Sequence, residues 1–148
     1  ESRTQENFRI RANQWIDFNA SYAITDHTGK NLGKIARKGM RSIWKATYFV
    51  MDAFDNQKYK VQEENAWVKI IDGFFTEIPI LGIFTGYFFN PTYIVHDNNG
   101  KEIYRLKKMP SFFGRKFQLD QINDIADEDE TLVVLSLMMM VLLERAKG

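Results

Sequence analysis

Three stretches of the chain align without gaps: YAITDHTGKNLGKI (22–35), YFVMDAFDNQKYKV (48–61) and YIVHDNNGKEIYRL (93–106). Each opens on Tyr, with an aliphatic residue at its third position (Ile24, Val50, Val95), Asp at its fifth (Asp26, Asp52, Asp97) and an aliphatic at its fourteenth (Ile35, Val61, Leu106). Alternate side chains of a strand share a face, so the Tyr and the aliphatic two residues on point the same way. The Asp then opens a polar turn, because its side chain accepts from backbone amides two residues ahead. Position eight holds Gly29, Asp55 or Gly100, residue types that tolerate positive φ. Each repeat therefore predicts a β-hairpin.

Outward from the repeats, Met40, Ser42, Trp44, Ala46, Tyr48 and Val50 alternate with Arg41, Lys45 and Thr47, predicting a half-buried strand that feeds the second hairpin. Residues 15–18, 66–71 and 116–119 predict shorter strands. At the C-terminal end Asp127, Glu128, Asp129 and Glu130 precede LVVLSLMMMVLL (132–143), and Glu144, Arg145 and Lys147 follow. Acids at the start and bases near the end suit a helix dipole, and an Asp or Thr131 can cap the first amides. Ser136 is the one polar residue in the apolar run, so this helix is expected to be enclosed on every side. A sheet closed around it meets that demand and leaves no free edge, so the expected fold is a mainly β, closed antiparallel barrel enclosing the C-terminal helix. A helix at a subunit interface or docked on a membrane accounts for the same apolarity.

Composition narrows the function classes. The 148 residues, 45% hydrophobic and 14% aromatic, suffice for one packed domain. Residues 1–14 read as an N-terminal extension and 15–148 as the domain. That extension lacks the apolar core and cleavage site of a signal peptide, and Glu1 in place of Met reads as a trimmed start. A formal charge of +1 gives the whole molecule weak attraction to nucleic acid or anionic lipid, so nucleic acid is not expected as a partner and only local patches are left to act electrostatically. With no cysteine, disulfides, thiolate metal sites and Cys nucleophiles are excluded. Residues 71–91 are apolar but interrupted by Asp72, Glu77 and Pro79, and the 132–143 run falls short of the roughly 20 residues that span a bilayer, so both are expected to be buried.

The repeated hairpins of form Tyr, aliphatic, Asp, x, x, Gly, together with the acidic link and apolar terminal helix, resemble the tubby C-terminal-like superfamily, in its phospholipid scramblase and LURP-one-related branch. The resemblance covers residues 15–147. It implies a barrel of about twelve strands around a central hydrophobic helix formed by 132–143. It also implies a non-enzymatic domain binding phospholipid or phosphoinositide head groups through basic surface residues, cytoplasmic or peripheral to a membrane. The chain departs from the scramblase pattern in lacking a cysteine cluster and a proline-rich N-terminal arm.

The candidate lipid- or phosphate-binding residues form two groups: Lys30, Lys34, Arg37, Lys38, Arg41 and Lys45, and then Lys107, Lys108, Arg115 and Lys116 near Lys101 and Arg105. Converging on one surface they would meet anionic lipid; as a solvated face they would leave a structural or adaptor module that binds a protein partner. The acidic residues Asp120, Asp124 and Asp127 to Glu130 lack the order of an EF-hand loop and are expected to start the helix. Residues 73–91, rich in Phe, are expected as barrel wall, and Met138, Met139 and Met140 as filling for interior gaps. His27 and His96 fall in or beside turns of different repeats, where a meeting across the barrel rim would still lack a third metal ligand. No GxSxG, P-loop or HExxH pattern occurs, so neither catalytic residues, nor a metal, nor a cofactor is expected.

Overall fold

Each repeat folds as the hairpin its spacing predicts. The computed structural model describes residues 6–12, 20–37, 47–64, 91–110 and 116–145. The repeats form β2 (Ser21–Asp26) with β3 (Asn31–Arg37), β4 (Thr47–Met51) with β5 (Gln57–Glu63), and β6 (Thr92–Asp97) with β7 (Glu102–Met109). The first and fourteenth positions face each other as Tyr22↔Ile35, Tyr48↔Val61 and Tyr93↔Leu106. All but Tyr22, which is partly buried, lie in the core, beside Ile24, Val50 and Val95.

The turns repeat as closely as the strands. Asp26 Oδ1 accepts from Thr28 N at 2.8 Å and Lys30 N at 3.0 Å, Asp52 Oδ1 from Phe54 N at 2.8 Å and Asn56 N at 2.9 Å, and Asp97 Oδ1 from Asn99 N and Lys101 N, both at 2.8 Å. Position eight has φ of 86° at Gly29, 68° at Asp55 and 81° at Gly100. Beyond each turn the register slips by one residue, adding Leu32, Lys58 and Ile103, the eleventh position of every repeat. Such a bulge re-aims side chains. Accordingly, position eleven joins position twelve (Gly33, Tyr59, Tyr104) on the inner side.

Two further strands, β1 (Phe8–Ala12) and β8 (Lys116–Gln121), complete one antiparallel sheet in the order β1-β2-β3-β4-β5-β6-β7-β8. Residues 1–14, expected as an extension, thus contribute β1, which pairs with β2 from Phe8↔Asp26 to Ala12↔Tyr22. The expected strand at 116–119 is β8, and the strand expected over 40–50 is seen in its last part as β4. The expected strands at 15–18 and 66–71, and the aromatic segment 73–90, lie outside the described residues.

The expected closed barrel is not what forms. Eight strands rather than about twelve make an open sheet among the described residues, with β1 and β8 as its two edges and no pairing between them. Charged residues such as Arg9 and Arg11 on β1 and Lys116 and Asp120 on β8 line these edges and discourage pairing with other chains. The helix α1 (Asp127–Arg145) packs against β2, β3 and β4. Leu132, Val133, Ser136, Leu137 and Met140 are buried, a spacing of one helical face. Met138 and Leu142 are 57% and 53% exposed, so the run is enclosed on one side only. Burying that single face places the helix, and apolar atoms tolerate water on the other, which is why apolarity all round did not enforce closure.

Candidate functional site

The helix start is held by the inner ends of the second and third hairpins. Tyr59 Oη donates to Asp129 Oδ2 at 2.9 Å, and Lys58 Nζ lies 3.1 Å from the same oxygen, reaching it from the bulge. Tyr104 Oη donates to Glu130 Oε1 at 3.5 Å. Burial first, then the carboxylate that accepts its hydrogen bond, pushes the Tyr59 hydroxyl far above its ordinary pKa, and burial with Glu130 raises that of Tyr104. The hydrogen bond to Asp129 raises Lys58. The helix opens on the Ala126 carbonyl, which accepts from Asp129 N and Glu130 N, so its acids serve tertiary bonds as well as the dipole. Among the described residues no group of His, Asp and Glu is placed to hold a metal ion.

The six candidate cations that fall among the described residues divide between the two ends of the sheet. The three Asp turns mark one end, which carries Lys30 and Lys34. Lys34 Nζ is 2.8 Å from Asp55 of the neighbouring turn. At the opposite end are Arg37, paired across β3–β4 with Tyr48, and Lys107, Lys108 and Lys116 on β7 and β8. Lys107 Nζ is 3.5 Å from Asp120 Oδ2, and Lys108 has a contact of its own. Lys30, Arg37 and Lys116 make no ion pair among the described residues. Three strands, β4, β5 and β6, separate the β3 and β7 groups, so the two do not merge into one cluster. Lys38, Arg41, Lys45 and Arg115 lie outside the described residues.

His96, which the sequence reading left in a turn, and Lys60, which it did not single out, come together on the outer face, away from α1. Lys60 on β5 and His96 on β6 are direct cross-strand partners. They line an open groove of 390 Å³ with Gln57, Gln62 and Asn98. His27 is on the first turn, three strands from β6, so the two histidines do not meet. Outward parity at Lys60 and His96 was a signal available in the repeat; the β5–β6 pairing that joins them was not.

No helix among the described residues is long and apolar enough to cross a membrane. Neither a protein-family model, nor a curated protein, nor a solved structure matches the chain.

Proposed function

We propose that the chain is a non-catalytic binding domain that meets anionic lipid head groups at a membrane surface. The observation carrying this reading is the grouping of Lys107, Lys108 and Lys116 on β7 and β8 at the end of the sheet opposite the Asp turns, with Arg37 at the same end on β3. Each cation near an acidic bilayer contributes about 1 kcal/mol, screened by salt. The resemblance to scramblase and LURP-one-related proteins, carried by the hairpin repeat, points to the same ligand class.

Co-sedimentation with phosphatidylserine vesicles tests it. Binding is expected at low salt, declining as salt rises, and absent with phosphatidylcholine. The double substitution Arg37→Ser, Lys116→Ser removes about 2 kcal/mol and weakens binding about 30-fold. Binding that is absent, or indifferent to both salt and substitution, overturns the reading.

A second reading, an adaptor that binds protein, is favoured by the apolar stripe of Met138 and Leu142, both more than half exposed, flanked by partly buried Leu135, Met139 and Val141. Under it the chain ignores vesicles of either kind, and Met138→Ser with Leu142→Ser improves solubility without loss of stability.

A further inference from the structure

The outer face of β5 and β6 concentrates hydrogen-bond donors where few carboxylates answer them. Lys60 stands between Phe49 on β4 and His96 on β6, so neither cross-strand neighbour is acidic. Among the described residues its ammonium has no ion-pair partner. Around it the groove presents the amides of Gln57, Gln62 and Asn98. Asn98 is set by its own bond, Nδ2 donating to the Gln57 carbonyl at 2.8 Å, which ties the third turn to β5. Asp97 is the one carboxylate among the described residues that lines the groove, and its Oδ1 is already taken by the amides of Asn99 and Lys101. Of the neighbouring acids, Glu102, opposite His96 on the other side, is bridged to Arg105 at 2.8 Å and 3.1 Å.

We propose that this groove binds a phosphate group, with Lys60 supplying the charge, His96 an N–H donor and the side-chain amides the remaining hydrogen bonds. An ammonium and an imidazole from adjacent strands approach a tetrahedral oxyanion from two sides, and such charge-assisted bonds are about twice as strong as neutral ones. The strands hold both at a cross-strand spacing of about 5 Å, which one phosphate bridges. The site is independent of the Arg37 and Lys116 end. It takes a free phosphomonoester or the phosphorylated head of a lipid by the same chemistry.

The test is a titration of the full 148-residue chain with inorganic phosphate, followed by amide NMR at constant ionic strength maintained with chloride. Saturable shifts are expected at Lys60, His96, Asn98 and Gly100, with Lys60→Gln and His96→Gln each weakening binding about 10-fold while leaving the other amide signals in place. Arg37→Ser, Lys116→Ser leaves phosphate binding unchanged, which separates this site from the proposed membrane-facing end. A second arm uses vesicles carrying a phosphatidylinositol phosphate in phosphatidylcholine: binding lost in Lys60→Gln assigns the group to a lipid, whereas phosphate binding without vesicle binding assigns it to a soluble ligand. Shifts no larger than chloride produces, or unchanged in both Gln variants, overturn the proposal.

Discussion

The first hairpin and the other two share one backbone pattern and part company at position twelve, where each meets the helix. All three carry the same Asp turn, the same positive φ at position eight and the same bulge at position eleven. At position twelve the first has Gly33, and the second and third have Tyr59 and Tyr104. A Cβ at Gly33 would overlap the Met51 carbonyl and come within 2.9 Å of a Leu132 methyl, so its absence lets the body of α1 lie against β3. The tyrosines stand taller and meet the helix start with their hydroxyls. One repeated bulge thus does two jobs: without a side chain it seats the helix, and with a phenol it bonds the carboxylates of the helix start.

The sharpest way to break this comparison is to give the first hairpin a side chain. Gly33 has φ of 143° as well as crowded surroundings, so Gly33→Ala is expected to cost about 3 kcal/mol or more, read as a shifted midpoint in urea unfolding. Gly29→Ala, with φ of 86° and open space, should cost only about 1 kcal/mol. Equal losses at the two positions would refute the helix seat.

Removing the phenol oxygens asks the same of the other hairpins. Tyr59→Phe leaves buried Asp129 with Lys58 alone and should cost about 1–2 kcal/mol; Tyr104→Phe breaks a longer, more exposed bond and should cost about 0.5 kcal/mol. Reversal of that order would mean that Glu130, not Asp129, holds the helix start.

Ser136 offers a smaller test, from within the buried helix face. Its hydroxyl is fully buried and finds no hydrogen-bond partner among the described residues. Ser136→Ala removes that unsatisfied group and is expected to stabilise by about 1 kcal/mol. A loss of stability would show that the hydroxyl is bonded in solution.

The pH dependence separates turns from helix start. Asp26 is held below the ordinary carboxylate range by the Thr28 hydroxyl, Asp52 by the Asn56 side chain and Asp97 by the Lys101 amide. A lowered folded pKa makes their contribution complete above the unfolded value, about 3.9, and lost as pH falls through the folded one. Lys58 and Tyr59 are raised instead, so their contribution is complete below the unfolded values near 10 and disappears as pH climbs through the folded ones. Stability measured against pH should therefore show a weaker alkaline decline in the Lys58→Met, Tyr59→Phe double variant, with the share due to Tyr104 remaining, and keep its acid decline. An alkaline decline unchanged by that variant would dissociate the cluster from it.

Much of this was legible in the repeat, because hairpins are local. The pairings Tyr22↔Ile35, Tyr48↔Val61 and Tyr93↔Leu106, the Asp turns and the positive φ at position eight follow from residues within fourteen positions of one another. The bulges were not legible, since Leu32, Lys58 and Ile103 share no residue type. Charge alone allowed the group of Lys34 and the group of Lys107 to converge on one surface, although β4, β5 and β6 stand between their strands. The same charge count passed over Lys60 and His96, which belong to different repeats and meet through a pairing between hairpins.

By itself, then, the order of residues determined three hairpins, their turns and a C-terminal helix, since each is decided by side chains near in the chain acting on their own backbone. Only the tertiary structure decided whether the sheet closed, which side of the helix was covered and which cations became neighbours. Those outcomes depend on contacts between segments far apart in the chain: the gap left by Gly33, the reach of Tyr59 and Tyr104, and the separate edges of β1 and β8.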